Sequence, residues 1–202
     1  MARLKLAVLI SGRGSNLQAL IDSCAKPNFP AKIVIVISNA AEVQGLERAR
    51  QSSIPCRVIA HQDYGSREDF NSEMTKVIEA AGVELICLAG FMRLLSDEFV
   101  DHWSNRMINI HPSLLPAFTG LDVQARAIAA GEKVSGCTVH FVRRKMDEGP
   151  IIIQATVPIH ANDDVDALAA RILDEEHRIY SEAVRLIAEG RVHILDEQAF
   201  ID

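Results

Sequence analysis

Three short, nearly continuous apolar runs lie in the first half of the chain, and stripes of apolar residues with helical spacing lie between them. The runs are Leu4–Ile10, Lys32–Ile37 and Glu84–Ala89. Apolar runs of this length are typical of parallel strands buried on both faces, and alternating strands and helices build a sheet covered on both sides. The sequence therefore predicts an α/β fold with a doubly wound, mostly parallel sheet.

The second half of the chain predicts an antiparallel addition to this sheet. A short strand is indicated at Met107–Ile110, and two further strands at Cys137–Val142 and Ile151–Ile159 are separated by a charged turn. A long helix is expected from Asp164 to Glu189. Because the chain has no repeat or linker, one continuous domain over 1–202 is predicted.

Composition restricts the partners that this chain can have. The net charge of the 202 residues is −6, which gives no basic footprint for a nucleic acid. The four cysteines are scattered, and they predict neither a zinc ribbon nor a disulfide framework. The apolar run near the start is too short to span a membrane and lacks a cleavage site. We expect a cytoplasmic protein with small-molecule ligands and no membrane partner.

The segment SGRGSN joins the first predicted strand to the first predicted helix. Its glycines allow a tight turn, and the amides at a helix N-terminus suit an anion. Gly14, Ser15 and Asn16 are therefore candidates for binding a phosphate. Leu17 stands where a dinucleotide fingerprint needs its third glycine, which favours a single phosphate over a pyrophosphate. The alternative is an ordinary turn in which a Ser or Asn side chain caps the helix.

The segment NIHPSLLP contains the most informative pair of polar residues in the chain. Asn109 and His111 are two positions apart on a strand end, so their side chains share one face. Pro112 favours an extended conformation at His111. If the strand is parallel and central, its carboxyl end opens onto the usual ligand crevice. The alternative is a structural histidine beside a capping asparagine.

Asp147, in the turn MDEGP, is a candidate third partner. A carboxylate near His111 would favour the imidazolium form. Sequence spacing alone does not bring the two residues together, and an aspartate in a Gly-Pro turn is usually solvated. Both interpretations stay open at this point.

Four segments together resemble the glycinamide ribonucleotide transformylases, the folate-dependent phosphoribosylglycinamide formyltransferases. The segments are ISGRGSNLQALID, LAGFMRLLS, NIHPSLLP and DEGPIIIQATVPI. The resemblance implies an enzyme of de novo purine (IMP) biosynthesis. It would transfer the formyl group of 10-formyltetrahydrofolate to the amine of 5-phosphoribosylglycinamide, giving N-formylglycinamide ribonucleotide and tetrahydrofolate. The implied fold is formyltransferase-like and Rossmann-related.

The resemblance also implies a role for each candidate residue. Asn109, His111 and Asp147 would be catalytic, and Asn109 would also contact the folate. The substrate phosphate would be bound by Gly14, Ser15 and Asn16, and the folate site would be lined by Arg67, Met92, Arg93, Leu94 and Leu95. Residues 1–106 would form a phosphate-binding half, and 107–202 a catalytic and folate-binding half. The enzyme would act as a monomer or homodimer.

The implied chemistry needs no metal. The amide of Asn109 and a protonated His111 can stabilise the oxyanion that forms on the formyl group, and His111 can then pass a proton to the departing nitrogen. Asp147 would keep His111 charged and oriented. No two histidines stand at the HxxxH or HExxH spacing of zinc enzymes. His140 is a candidate for supporting the site from below.

Glu176 falls on the apolar stripe of the last helix, four residues from both Ile172 and Tyr180. An inward carboxylate needs a partner. An internal ion pair, or exposure at the edge of the stripe, would explain a carboxylate at this position. The resemblance implies a contact to the ribose or amine of the ribonucleotide, which we favour.

One segment departs from the family pattern. Many members carry a GLHTH-like segment, and this chain has Gly120–Gln124, GLDVQ, in its place. Phe118 and Thr119 also replace a commoner pair.

Several other classes are weighed against this one. Methionyl-tRNA formyltransferases share the Asn–His–Asp set but add a tRNA-binding domain, and formyltetrahydrofolate hydrolases add a regulatory domain and lack GRGSN. A nicotinamide reductase is disfavoured because Ser38 and Asn39 stand where an acidic ribose ligand is expected. A nucleotide- or folate-binding module without turnover remains open.

Overall fold

The structure is a computed structural model that describes residues 2–202. Its strands are β1 (Leu4–Ile10), β2 (Ala31–Ser38), β3 (Cys56–Val58), β4 (Leu85–Leu88), β5 (Met107–His111), β6 (Val134–Phe141), β7 (Ile151–Pro158), β8 (Val192–Leu195) and β9 (Gln198–Ile201). Its helices are α1 (Ser15–Cys24), α2 (Gln44–Gln51), α3 (Arg67–Ala80), α4 (Asp97–His102), α5 (Val123–Ala129) and α6 (Val165–Ala188). A 3-10 turn covers His61–Asp63.

Within the described residues, the strands form a seven-stranded sheet in the order β3-β2-β1-β4-β5-β6-β7 and a separate β8-β9 hairpin. Strand β1 pairs in parallel with β2 and β4, and β2 pairs in parallel with β3. Strand β7 runs antiparallel to β6. The predicted doubly wound, mostly parallel sheet with an antiparallel C-terminal addition is confirmed. Strand order reverses between β1 and β4, and the end of a sheet at such a switch point is where ligands bind.

The chain divides into two compact units, Met1–Ile108 and Asn109–Asp202. The assignment of separate functions to 1–106 and 107–202 stays a prediction. In the described residues, no helix combines the length and the apolar character needed to cross a membrane.

The first unit is built around β1. Its residues from Leu6 to Ile10 are fully buried, as expected for a strand covered on both faces. Helix α1 buries Leu17 and Leu20 from the predicted stripe. Ser66 caps α3, because its side chain accepts a hydrogen bond from the backbone N–H of Asp69.

Two helices are followed by a glycine directly after the C-cap. Helix α3 has Ala81 at its C-cap, and Gly82 follows it with a positive φ. Helix α6 has Glu189 at its C-cap, followed by Gly190 with a positive φ. Both glycines therefore sit one position beyond the cap, where the left-handed conformation is needed.

The second unit packs α6 against β6 and β7. Asp164 caps this helix by accepting a hydrogen bond from the N–H of Ala167. The predicted inward stripe is confirmed, since Ile172 and Tyr180 are fully buried and Glu176 between them is 7% exposed. A carboxylate therefore faces the interior of this unit.

Candidate active site

The main chain of the segment that follows β1 lies in close contact with the main chain at the start of α2. Gly14 occupies the N-cap position of α1 with φ near +71°, so a residue without a side chain stands where a Ser or Asn cap was the alternative. A Cβ atom on Gly14 would lie 2.7 Å from the Cα of Gly45. Glycine is needed at this position for both the positive φ and the close approach.

Helix α2 orients the carbonyl groups of this segment. The backbone N–H of Gly45 donates to the carbonyl of Gly12 at 3.0 Å. The Nε of Arg48 donates to the carbonyl of Arg13, also at 3.0 Å. Both carbonyls are thereby engaged by α2, while Ser15 and Asn16 begin α1 with their amides in its first turn. A helix N-terminus presented in this way suits an anion.

A cavity of about 450 Å³ lies in the first unit beside the loop that follows β4. Four of the predicted folate-lining residues, Arg67, Met92, Arg93 and Leu94, line it, and the other lining residues are His61, Tyr64, Gly65, Ser66 and Phe70. Among the described lining residues Leu95 does not occur, although it follows Leu94 directly and is half-buried. The structure thus brings most of the predicted set together.

Aromatic rings form one wall of this cavity. The ring of Phe70 lies 6.4 Å from that of His61, edge to face, and 5.9 Å from that of Tyr64. Arg67 and Arg93 are exposed at the cavity. Aromatic faces suit a planar ring system, and guanidinium groups suit carboxylates. The sequence analysis did not identify His61 or Tyr64 as candidates for this cavity.

In the second unit, the structure brings His111 and Asp147 together. The Nδ1 of His111, at the end of β5, lies 3.6 Å from the Oδ1 of Asp147, and both side chains are under 10% exposed. The alternative of a solvated turn aspartate is therefore wrong. The backbone N–H of Gly120 donates to the Oδ2 of Asp147 at 2.9 Å. On its other side, His111 donates from Nε2 to the carbonyl of Phe118 at 3.0 Å.

Asn109 joins this group through His140. The Nδ2 of Asn109 lies 3.2 Å from the Nε2 of His140, whose Nδ1 lies 2.9 Å from the carbonyl of Phe141. A carbonyl only accepts, so the proton of the neutral ring resides on Nδ1 and the Nε2 accepts from Asn109. Burial lowers the pKa of His140 below its usual 6.5, which keeps the ring neutral. The neutral ring thereby fixes the orientation of the Asn109 amide.

The segment after His111 is held by β6 and β7. The hydroxyl of Thr138 donates to the carbonyl of Ser113 and accepts from the N–H of Leu115. Gln154 donates to both the Leu115 carbonyl and Thr138. A polar network without an unpaired member rigidifies its surroundings. Sequence patterns did not indicate Thr138 or Gln154, because alternating strand residues look alike before the pairing is known.

Glu176 lies close enough to Cys137 on β6 to affect its ionisation. Burial first, and then the charges of Glu176 and Glu175, raise the pKa of the Cys137 thiol to about 12. The inward position of Glu176 agrees with the sequence analysis, and its role as a ligand contact stays a prediction. Among residues 2–202, no group of three or more His, Cys, Asp or Glu side chains is arranged to bind a metal ion.

Comparison with known proteins gives the class of this fold and site. The family model described as formyl transferase matches residues 4–184. The chain therefore belongs to the formyl transferase family, and the resemblance found in the sequence motifs is confirmed.

The names of individual relatives are more specific than the description of the family. The phosphoribosylglycinamide formyltransferase of Haemophilus influenzae is 41% identical over 98% of this chain and 93% of its own length. A crystal structure of glycinamide ribonucleotide transformylase 1 from Symbiobacterium toebii has a TM-score of 0.96 and 48% identity, covering 98% of this chain and 94% of that one. The trifunctional purine biosynthetic protein adenosine-3 of Gallus gallus is 50% identical over 95% of this chain, which spans only 19% of that relative.

We predict that His140 makes folding stability depend on pH. Because its pKa is lowered in the folded state, the unfolded chain binds a proton that the folded chain does not when pH falls below about 6.5. Stability contributed by neutral His140 is therefore lost as pH falls through this window. We would measure the free energy of unfolding in urea at about pH 7.5 and about pH 5.5, roughly one unit on either side of pH 6.5. The difference between the two values should be smaller for His140→Gln than for the unsubstituted protein. Equal differences in the two proteins would contradict the role assigned to His140.

Proposed function

We propose that the chain is a phosphoribosylglycinamide formyltransferase, which transfers the formyl group of 10-formyltetrahydrofolate to the amine of glycinamide ribonucleotide. The observation that carries the proposal is the group formed by the buried side chains of His111 and Asp147 and the half-buried Asn109, whose amide bonds to His140. This group contains a positioned proton donor and a positioned amide, as acyl transfer through an oxyanion requires. Two bacterial relatives, which this chain matches over 93% and 94% of their length, are phosphoribosylglycinamide formyltransferases and support the same activity.

The first unit would bind the substrate phosphate and the folate. Gly14, Ser15 and Asn16 would bind the phosphate with the N-terminus of α1, and the engagement of nearby carbonyls by α2 supports this role. Arg67 and the Met92–Leu95 segment would contact the folate. The aromatic wall would pack against a flat ring, and the guanidinium groups would pair with carboxylates.

The second unit would perform the transfer. The neutral amine attacks the formyl carbon, a new C–N bond forms, and negative charge develops on the formyl oxygen. Asn109 uses one N–H of its amide for His140, which leaves its second N–H for that oxygen. The Nε2–H of His111 can exchange the Phe118 carbonyl for the same oxygen.

The intermediate then collapses. The bond from the formyl carbon to the folate nitrogen breaks, and that nitrogen takes a proton from His111. The nitrogen of the substrate amine, now bonded to the formyl carbon, gives up one proton, which restores the proton of His111. Asp147 faces the Nδ1 of His111 and stabilises positive charge on the ring while the proton is held there. Every step uses donors and acceptors of the chain itself, so a metal-free reaction is proposed. Glu176 would contact the ribose or amine of the ribonucleotide.

The remaining parts of the proposal concern organisation. Residues 1–106 would serve mainly in phosphate binding, with Arg67 and the Met92–Leu95 segment adding folate contacts, and 107–202 would serve in catalysis and in folate binding through Asn109. Both proposed substrates are small polar metabolites. We therefore propose a cytoplasmic enzyme, which would act as a monomer or homodimer.

The proposal predicts turnover that depends on both substrates. Purified protein should consume 10-formyltetrahydrofolate only when glycinamide ribonucleotide is present, with an unchanged rate in the presence of a chelator. Loss of the formyl folate without the ribonucleotide would identify a hydrolase. Ligand-induced stabilisation without product would identify a binding module.

Substitution of the central pair should separate chemistry from binding. His111→Ala removes a proton donor to the oxyanion, and we expect kcat to fall about a hundredfold or more. Asp147→Asn keeps an acceptor for the Gly120 amide but removes the charge beside His111, and kcat should fall about tenfold to a hundredfold. Steady-state kinetics would measure both, with ribonucleotide binding as the control. Full activity of either variant would contradict the assigned roles.

The backbone approach of α2 should matter for phosphate binding. In Gly45→Ala the new Cβ would lie 2.5 Å from the Cδ1 of Ile10 and 3.0 Å from the Gly12 carbonyl oxygen, so the loop must shift. We expect the KM for the ribonucleotide to rise about tenfold, with the KM for the formyl folate nearly unchanged. The matched control is Gln44→Ala, at an exposed neighbouring position. An unchanged KM for the ribonucleotide in Gly45→Ala would contradict the role of α2.

A further inference from the structure

A chain of hydrogen bonds links three loops at the carboxyl ends of β1, β2 and β4. Ser11, which follows β1, accepts the backbone N–H of Met92 at 2.8 Å. Its hydroxyl donates to the Oδ1 of Asn39, which follows β2, at 2.5 Å. The Nδ2 of Asn39 lies 3.4 Å from the Nδ1 of His61 and is its donor. Met92 and His61 both line the cavity of the first unit.

The loop after β4 depends on this chain for its position. It has no helix or strand between Leu88 and Asp97 in the described structure. The side chain of Met92 is 67% exposed, so it contributes little packing of its own. Near the far end of the loop, the N–H of Ser96 donates to the Oδ1 of Asn71 at 2.6 Å. Ser11 and Asn71 therefore fix the loop on either side of the residues that line the cavity.

Asn39 is suited to its place because it must donate and accept at once. Its carboxamide accepts from the Ser11 hydroxyl and donates to His61, and the residue is only 7% exposed. A buried polar group that loses its partner is destabilised by desolvation that is no longer compensated. At the same position of the fold, a dinucleotide-binding protein would place an acidic ribose ligand. In this chain Asn39 occupies that position and donates to His61, which lines the cavity of the first unit.

We propose that Ser11 and Asn39 are positioning residues for the formyl-donor cavity: they hold the wall formed by Met92, Arg93 and Leu94 without contacting the donor. The proposal rests on the proposed function for the identity of that donor. A wall fixed before binding reduces the conformational entropy that binding must remove. Loss of either side chain should therefore weaken folate binding selectively, because α2 holds the segment before Gly14–Asn16 through separate bonds to the carbonyls of Gly12 and Arg13.

The test uses tetrahydrofolate as the probe, since its binding needs no turnover. In Asn39→Leu both hydrogen bonds of the carboxamide are lost, and calorimetry should show about a threefold to tenfold weaker Kd. The KM for the formyl folate should rise by a similar factor, while the KM for the ribonucleotide stays within about twofold. Asn39→Asp keeps the acceptor for Ser11, so it should lose less affinity than Asn39→Leu.

Ser38→Ala is the matched control. Ser38 is fully buried beside Asn39, and its hydroxyl bonds within its own turn, donating to the carbonyl of Ala40 and accepting its N–H. Its substitution should lower Tm without changing the ratio of the two substrate affinities. If Asn39→Leu does not fold, Ser11→Ala is measured in the same way, and the expected selective loss of folate affinity is the same.

The outcomes separate the two proposals. Unchanged tetrahydrofolate affinity in a folded Asn39→Leu or Ser11→Ala protein would overturn the positioning role alone. So would an equal loss of affinity for both substrates, which indicates general disruption. Failure of the unsubstituted protein to bind tetrahydrofolate would overturn the proposed function first. Selective loss that is largely restored in Asn39→Asp would support the positioning role.

Discussion

The buried carboxylate of Asp147 is the constraint on which the arrangement of the second unit depends. A carboxylate removed from water is stable only when hydrogen bonds or opposite charge compensate it. Its two oxygens face the amide of Gly120 and the Nδ1 of His111. One charge therefore fixes a turn, a loop and the ring of His111 in a single arrangement. The group that organises the proposed chemistry also organises the local structure.

Close backbone approaches make this arrangement possible. A Cβ on Gly149, two residues after Asp147, would lie 1.8 Å from the carbonyl oxygen of Phe141. The turn can thus pack against the end of β6 only because a hydrogen occupies that place. In the first unit Gly14 and Gly45 meet in the same way. The proposed phosphate-binding segment and the turn that carries Asp147 therefore both rest on contacts between main chains, which tolerate little change in side-chain volume.

Sequence patterns predicted the parts of the molecule whose periodicity is local. The strand Leu4–Ile10 and the inward stripe of α6, with Glu176 on it, were found because burial on one element leaves a repeat in the chain. The pairing of His111 with Asp147 was not predictable from spacing, because tertiary structure alone joins residues so far apart. Helix α2 was missed because eight residues are too few for a clear period. The importance of Gly45 therefore emerged only with the structure.

The departure of GLDVQ from the family pattern is explained by how this loop contacts the site. Phe118 contributes its carbonyl to His111, and Gly120 contributes its amide to Asp147, so both contacts come from the main chain. Arg126 holds the loop by donating to the carbonyls of Thr119 and Leu121, and its guanidinium lies 5.5 Å from the centre of the Phe118 ring. Replacing histidines in this segment leaves those main-chain groups in place. The loop can therefore vary in its side chains while His111 and Asp147 keep the same neighbours.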